Sequence, residues 1–180
     1  MSNAGNEIPE GVAPVDRSPT YLSSALALVA ALVATTVSVA SPAALVGCVA
    51  GVAALVAGLA TGRRGLVRLA GAVLVGAVLV ASAAGTPVLA TLVGVTTALL
   101  AVDFGTTATD LGVQLGRQTP TARVELLHAT TSTLVGFGFV LAGATADAFV
   151  AGSQPVSALF GLVVTVIVLV VALRRADPVG

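Results

Sequence analysis

The sequence predicts an all-α, polytopic membrane protein with six transmembrane helices arranged as three antiparallel hairpins. Of its 180 residues, 57% are hydrophobic and only 9% are charged. A helix needs about 20 apolar residues to cross the roughly 30 Å hydrocarbon layer, and residues 19–175 hold enough apolar sequence for six crossings. All eight basic residues are arginines, and they cluster in short segments between the apolar runs.

Proline marks five of the six predicted helix starts. Its fixed φ and missing N–H suit the first helical position, and a polar residue just before it can cap the helix. The five pairs are Ser18-Pro19, Ser41-Pro42, Thr86-Pro87, Thr119-Pro120 and Gln154-Pro155. The remaining start follows Gly62, which can end the preceding helix, and it places Arg63 and Arg64 outside the lipid. We therefore expect helices over 19–40, 42–60, 63–84, 87–116, 120–151 and 155–174.

The arginines predict the orientation, because positive residues in short loops stay on the cytoplasmic side of a membrane. With six spans and an internal N-terminus, all eight fall on the cytoplasmic side. We therefore expect a multi-pass protein of the cell membrane with both termini in the cytoplasm. Residues 1–18 are polar and rich in Gly and Pro, lack the basic start of a secretory signal, and are predicted to be a disordered tail. Residues 19–175 form the transmembrane domain, and 176–180 a short C-terminal tail.

Helices 4 and 5 are longer than the bilayer requires, and their excess length carries polar residues. Residues 87–116 would run about 45 Å at 1.5 Å per residue, so roughly ten residues of each helix should project as a cytoplasmic helical hairpin near 103–128. Folding about residue 118 brings Asp110 level with Glu125 and His128, and Asp103 level with 131–133. The candidate site is therefore a polar cluster, consisting of Asp103, Asp110, Arg117, Arg123, Glu125 and His128.

Two interpretations of this cluster stay open. In the first, the polar stripes face cytosol and lipid headgroups, and Arg117 and Arg123 form ion pairs of little energetic value. In the second, Asp103 lies at or just inside the membrane boundary, where an unpaired carboxylate is costly and tends to mark a function. Its candidate partners are four hydroxyls and one imidazole, on Thr96, Thr130, Thr131, Ser132 and His128. Histidine changes its charge near neutral pH, although a lone histidine is more often structural.

Small residues spaced four apart predict close helix packing. Gly47 with Gly51, and Gly58 with Gly62, would let backbones approach within the lipid. Such pairs are common where glycine and alanine are frequent, so generic packing is favoured over a dedicated dimer face. The sequence fits a monomer or a dimer.

Several kinds of chemistry are not signalled. Eight Asp plus Glu balance the eight arginines, so no basic field argues for nucleic acid. No phosphate loop, paired-histidine metal site or serine triad is present. A single histidine and a single cysteine, Cys48, exclude most metal sites and a disulfide framework. We therefore expect no enzymatic activity, no metal and no cofactor.

The element LGRQTPTARVELLHATTSTL, residues 115–134, resembles a segment shared by a family of small multi-spanning membrane proteins of haloarchaea whose function is not established. The matching positions are Leu115, Gly116, Arg117, Arg123, Glu125, Leu126, His128 and Ala129. That family often accompanies an ATPase of the AAA class and proteins with transglutaminase-like domains. The resemblance therefore implies an accessory role and carries over no catalytic residue.

These observations favour a non-enzymatic scaffold or accessory subunit. It would sit in membrane lipid and dock a protein partner through the cytoplasmic helix 4/5 hairpin, with no role for nucleic acid. The alternative is a small transporter or channel subunit in which Asp103 is a proton or cation site. No proline interrupts a predicted span, so the broken helices of many transporters are not signalled.

Overall fold

The computed structural model describes residues 18–39, 41–115 and 122–150, which form five α-helices. They are α1 (Tyr21–Val37), α2 (Pro42–Thr61), α3 (Arg64–Ala83), α4 (Val88–Leu115) and α5 (Ala122–Val150). All five lie where the sequence predicts a helix, each bound within three residues of the prediction. The predicted sixth helix, 155–174, lies outside the described residues, as do Arg117 and the pairs Thr119-Pro120 and Gln154-Pro155.

Local chemistry sets the limits of α2. Pro42 occupies its first turn, and the Ser41 hydroxyl accepts a hydrogen bond from the Ala44 N–H at 3.4 Å. Gly62 ends the helix in the left-handed conformation, with φ 64°, where its N–H donates to the Gly58 and Leu59 carbonyls. An L side chain is disfavoured in that conformation. Gly62 thus serves as the C-cap rather than as a packing residue.

The turn between α3 and α4 departs from the predicted capping. Thr86 does not cap α4; its hydroxyl and its N–H both donate to the Ala81 carbonyl, at 2.8 Å and 3.2 Å. It therefore satisfies a carbonyl at the end of α3, and Gly85, with φ 99°, lets the chain turn there. The Pro87 carbonyl accepts the first hydrogen bond of α4, from the Thr91 N–H at 2.9 Å.

The prediction of three hairpins is not supported. Within the described residues, α4 lies at the centre and packs against α1, α3 and α5, while α2 packs mainly on α3. Thus α1 has α4 as its principal neighbour rather than α2. Small residues let the antiparallel α1 and α4 meet, since Gly94 and Gly105 of α4 carry no side chain where α1 brings Val37 and Ala27. The same two glycines lie still closer to Val78 and Val67 of α3.

Small residues form the interior of the bundle. The buried core consists largely of alanines, among them Ala27, Ala31, Ala70, Ala101 and Ala108. Glycines complete the closest contacts. A Cβ atom built on Gly47 would lie 2.9 Å from Ala77 Cβ, one on Gly51 2.7 Å from Leu74 Cγ, and one on Gly58 2.9 Å from a Val67 methyl. These three glycines therefore line the interface between α2 and α3.

The larger apolar side chains face outward. Many leucines, valines and phenylalanines are exposed, such as Val46, Leu69, Leu134 and Leu141. Four helices, α2 to α5, are long and apolar enough to cross a membrane by length and composition, and α1 is a shorter apolar helix. A small-residue interior beneath a large apolar surface is the arrangement expected for helices in lipid. The described chain thus has the character of a multi-pass membrane protein.

The helices form two distinct ends. We call the end where α1, α3 and α5 begin the arginine end, because Arg63, Arg64 and Arg123 lie there. Much of the predicted protrusion is packed at this end. Gly112 of α4 lies directly against the Ser18 backbone, and Glu125 of α5 is buried. Within the described residues, only 113–115 and 122–124 extend beyond these contacts.

Candidate functional site

A buried carboxylate joins the start of α1 to α5 at the arginine end. Glu125 is only 3% exposed. Its Oε2 atom accepts three hydrogen bonds: from the Thr20 hydroxyl at 2.9 Å, the Ser23 N–H at 2.8 Å and the Ser23 hydroxyl at 2.6 Å. We call this set the Glu125 clamp.

The clamp replaces the local cap that α1 lacks. Thr20 is the N-cap residue, yet its side chain makes no capping hydrogen bond within α1, whose first turn contains no acidic residue. A capping box would use a Glu three residues after the cap, but Ser23 stands there. Glu125 supplies the carboxylate from α5 instead, close to the positive end of the α1 dipole. The one sequence feature that could have suggested this contact is that no acidic residue follows the N-cap Thr20 in the first turn of α1.

The segment before α1 is also held by α4. The Thr20 N–H donates to the Ala108 carbonyl at 3.2 Å, and Gly112 permits the backbone of Ser18 to pass closely over α4. The start of α1 is therefore fixed by two helices that follow it by about 90 and 100 positions in the sequence.

Asp110 pairs with α3 rather than with α5. Its Oδ1 atom forms an ion pair with Arg64 Nε, and the two side chains are 38% and 44% exposed. The structure thus gives Asp110 a partner on α3, whereas the sequence placed it level with Glu125 and His128 of α5. Arg64 begins α3, as the predicted helix 63–84 implies, and its long side chain reaches the Asp110 carboxylate near the end of α4.

Asp103 and His128 form a polar contact between α4 and α5. His128 Nε2 lies 2.9 Å from Asp103 Oδ2 and 3.2 Å from the Thr107 hydroxyl. The Asp103 and His128 side chains are about 40% exposed. The Asp103 Oδ2 atom itself is buried, and no described residue makes a well-aligned hydrogen bond to it. The contact is thus a close approach of one His128 ring nitrogen to two oxygens, those of the Asp103 carboxylate and the Thr107 hydroxyl.

Two of the hydroxyls predicted as Asp103 partners form hydrogen bonds within their own helix instead. Those of Thr130 and Thr131 are exposed and donate to backbone carbonyls of their own helix, Leu126 at 2.8 Å and Leu127 at 2.9 Å. Such bonds satisfy a hydroxyl inside a helix without any partner from outside it. Asp103 lies level with His128, about one turn from the predicted register.

Asp103 lies deeper than the other charges of this end. It precedes Asp110 by seven residues of continuous helix, which places it about 10 Å further from the arginine end. It also lies about 22 Å along the helix from the start of α4 at Val88, a distance shorter than the roughly 30 Å thickness of a hydrocarbon layer. In a membrane, an ionisable side chain this far from the helix end costs free energy unless it has a polar partner or is shielded from lipid.

The pair borders a groove between α4 and α5 of about 480 Å³. We call it the α4–α5 groove. Leu92, Thr96, Leu99 and Asp103 line it from α4, and Ser132, Val135 and Phe139 from α5. It is apolar over most of its length and carries its charge at one extremity.

The remaining predicted residues are peripheral or not described. Arg123 is exposed at the start of α5, and Arg117 lies outside the described residues. Sequence reasoning missed Thr20, Ser23, Arg64 and Thr107, because each acts through a neighbour distant in sequence. Within the described part of the chain, no cluster of three or more His, Cys, Asp or Glu residues could hold a metal ion.

Comparison with known proteins identifies the family of the chain but assigns no function to its residues. No curated protein and no solved structure matches it. The haloarchaeal resemblance of residues 115–134 stays a prediction. One family model matches residues 17–170, which contain all five described helices, the Glu125 clamp and the contact of Asp103 with His128. The chain therefore belongs to DUF7519, a family of unknown function.

Proposed function

We propose that this protein is a non-enzymatic accessory subunit that docks a partner at its arginine end, on the cytoplasmic side of the membrane. The observation that carries the proposal is the distribution of charge. Of the eight Arg, Asp and Glu residues in the described helices and turns, all except Asp147 lie toward the arginine end. Short turns connect the helices at the opposite end, around Ser38–Ser41 and Ala84–Pro87.

The arginine end is held as a rigid platform. The Glu125 clamp fixes the start of α1 to α5, and the ion pair of Arg64 with Asp110 fixes the start of α3 to α4. A surface whose helix ends are fixed before binding loses less conformational entropy when a partner docks. Its cytoplasmic placement follows from the retention of arginine on that side.

The partner surface that suits this platform is acidic. Arg63, Arg68 and Arg123 are exposed, and no ion pair within the described residues includes any of them. Unpaired guanidinium groups bind carboxylates in a planar, bidentate geometry. An acidic segment of a protein partner would therefore be recognised here.

The test uses two matched double variants. Arg63→Glu with Arg123→Glu reverses the charge, and Arg63→Lys with Arg123→Lys keeps it. Each is expressed in the native membrane, crosslinked in cells and compared with wild type by quantitative mass spectrometry. We expect a protein partner to be retained by the lysine variant and lost by the glutamate variant. Identical partner lists, or changes confined to lipid adducts, would refute docking at this end. Accessibility labelling of each variant verifies its orientation.

A second candidate function is a proton or cation site at Asp103. It is supported by the approach of His128 Nε2 to within 2.9 Å of Asp103 Oδ2 on a helix long and apolar enough to cross a membrane, where an ionisable residue tends to mark a function. Against it, α4 runs unbroken through Asp103, whereas many transporter sites use interrupted helices. In addition, the α4–α5 groove shares no lining residue with the hollow at the opposite end, which Val37, Ser41 and Thr86 line.

Ion flux separates the two candidates. In proteoliposomes under a pH gradient or a cation gradient, wild type is compared with Asp103→Asn and with the control Asp110→Asn, whose carboxylate lies nearer the aqueous end. Flux that Asp103→Asn abolishes and Asp110→Asn preserves would establish the transporter function. Flux equal to that of empty vesicles in all three samples would remove it.

A further inference from the structure

We propose that the α4–α5 groove binds a lipid-soluble amine, a molecule with an apolar body and one ammonium group that pairs with Asp103. Three polar side chains with unused hydrogen-bonding capacity line this otherwise apolar groove. Its volume of about 480 Å³ lies within the roughly 300–1,000 Å³ of small-molecule sites. Binding of this kind requires neither docking at the arginine end nor ion flux, so it is separate from both candidate functions.

The Asp103 carboxylate has acceptor capacity that its neighbours do not use. His128 Nε2 approaches Oδ2, while Oδ1 has no hydrogen-bond partner among the described residues. A carboxylate has about four acceptor sites, and its hydrogen bonds to a cation are about twice as strong as those between neutral groups. Asp103 lines the groove and its side chain is 40% exposed, so a cation in the groove can reach it.

Two hydroxyls of the groove are also unused. Thr97 and Thr106 of α4 donate to the carbonyls four residues before them, at 2.8 Å and 2.9 Å, as hydroxyls inside helices often do. The hydroxyls of Thr96 and Ser132 make no such bond, nor any other within the described chain, and both residues line the groove. An unpaired hydroxyl in apolar surroundings costs free energy, which a polar group of a ligand would recover.

The register of α4 and α5 places the three polar residues in a row. Asp103 lies beside His128, and Thr96 lies against Gly136, where an added Cβ would be 2.9 Å from the threonine methyl. Ser132 is midway between His128 and Gly136 in the sequence of α5, and so lies between the levels of Asp103 and Thr96. The row covers about 10 Å of helix, and the other lining residues are apolar. A ligand with its charge at Asp103 would thus extend its apolar body toward the start of α4.

The depth of Asp103 selects the class of amine. Because Asp103 lies about 10 Å further from the arginine end than Asp110, an ammonium attached directly to an apolar chain suits it. The amine of a phospholipid is joined to a phosphate, which the Asp103 carboxylate would repel. A primary alkylamine resembles the end of a lysine side chain, which is charged at neutral pH and has three donors. The ligand is therefore a single-chain amine without a phosphate.

Equilibrium binding of dodecylamine tests the proposal. The full chain is reconstituted in nanodiscs of phosphatidylcholine, which contains no primary amine, and binding is measured as the excess over empty nanodiscs. Dodecanol and dodecanoate carry the same chain with a neutral or an anionic head. Wild type is compared with two matched pairs of variants, Asp103→Asn with Asp110→Asn and Val135→Trp with Phe137→Trp. Val135 lines the groove, whereas the similarly exposed Phe137 does not.

We expect dodecylamine to bind wild type, Asp110→Asn and Phe137→Trp with the same Kd. Asp103→Asn should raise the Kd at least about tenfold, because a hydrogen bond between charged groups is lost. Val135→Trp should weaken binding as much by filling the groove, and it keeps the carboxylate, so the test stands even if Asp103→Asn does not fold. Dodecanol and dodecanoate should bind wild type at least about tenfold more weakly than the amine.

Four results would each overturn the proposal. They are no excess binding over empty nanodiscs, equal Kd values for both members of each variant pair, dodecanol bound as tightly as dodecylamine, and displacement of dodecylamine by an equal concentration of phosphatidylethanolamine.

Discussion

Replacing Glu125 with alanine removes the acceptor of the three hydrogen bonds that form the Glu125 clamp. The Ser23 N–H loses its partner inside the bundle, and a buried donor left unpaired costs about 1–3 kcal/mol. Loss of an N-cap contributes about 0.5–2 kcal/mol of the same destabilisation. The hydroxyls of Thr20 and Ser23 can turn toward backbone carbonyls, which limits the total. We expect the free energy of unfolding to fall by about 2–4 kcal/mol.

Two variants distinguish this effect from general damage. Glu125→Gln keeps the volume and one acceptor oxygen, so its loss should be smaller than that of alanine. Asp110→Asn breaks an ion pair whose partners are 38% and 44% exposed, and pairs of this kind contribute at most about 1 kcal/mol. Unfolding is measured by circular dichroism in mixed detergent micelles. We expect Glu125→Ala to lose the most stability, Glu125→Gln less, and Asp110→Asn the least.

Hydrogen exchange locates the change. In Glu125→Ala the amides of the first turn of α1, including Ser23, should exchange faster, while those in the middle of α2 keep their protection. Our reasoning about the clamp would fail if Glu125→Ala were no less stable than Asp110→Asn, or if the exchange of the first turn of α1 were unchanged.

Three further predictions concern packing, backbone conformation and orientation. Gly71→Ala should destabilise the protein by about 1–3 kcal/mol in a melting assay, because its Cβ would overlap a methyl of the facing α4 helix. The control Gly76→Ala has open space beside it and should be neutral or slightly stabilising in the same assay. Gly62→Ala should cost about 1 kcal/mol, because φ 64° disfavours a Cβ; an unchanged melting temperature would contradict this. In sealed, right-side-out vesicles of a Cys48→Ala background, an impermeant maleimide should label Ala84→Cys, and Arg63→Cys only after permeabilisation; the reverse pattern would invert the orientation.

The helices and their limits could be predicted from the sequence because local chemistry determines them. Pro42 begins α2 through its own fixed φ, and Gly62 ends the same helix through its own freedom to adopt a positive φ. The apolar runs identify membrane helices for the same reason, since each window carries its own hydropathy. None of these properties depends on which neighbour a helix finally meets.

The arrangement of the helices could not be predicted, because in lipid the hydrophobic effect does not favour one helix–helix contact over another. Gly71 and Gly76 look equivalent in the sequence, yet only Gly71 lies against α4. The site shows the same limit. Asp110, Glu125 and His128 were expected to meet one another, but each contacts a different element, through Arg64, Ser23 and Asp103 respectively. Side-chain reach and register decide these contacts, and the spacing of polar residues shows neither.

The Glu125 clamp can form only late in the synthesis of the described helices. Glu125 follows Ser23 by 102 residues and Thr20 by 105, so during synthesis α1 is made long before its capping carboxylate exists. The ribosome must deliver three more helices and the first turn of α5 before those early amides reach their final acceptor. Although α1 is the first described helix to be made, it is thus among the last to be completed, and a chain truncated before residue 125 would leave the opening turn of α1 dependent on water.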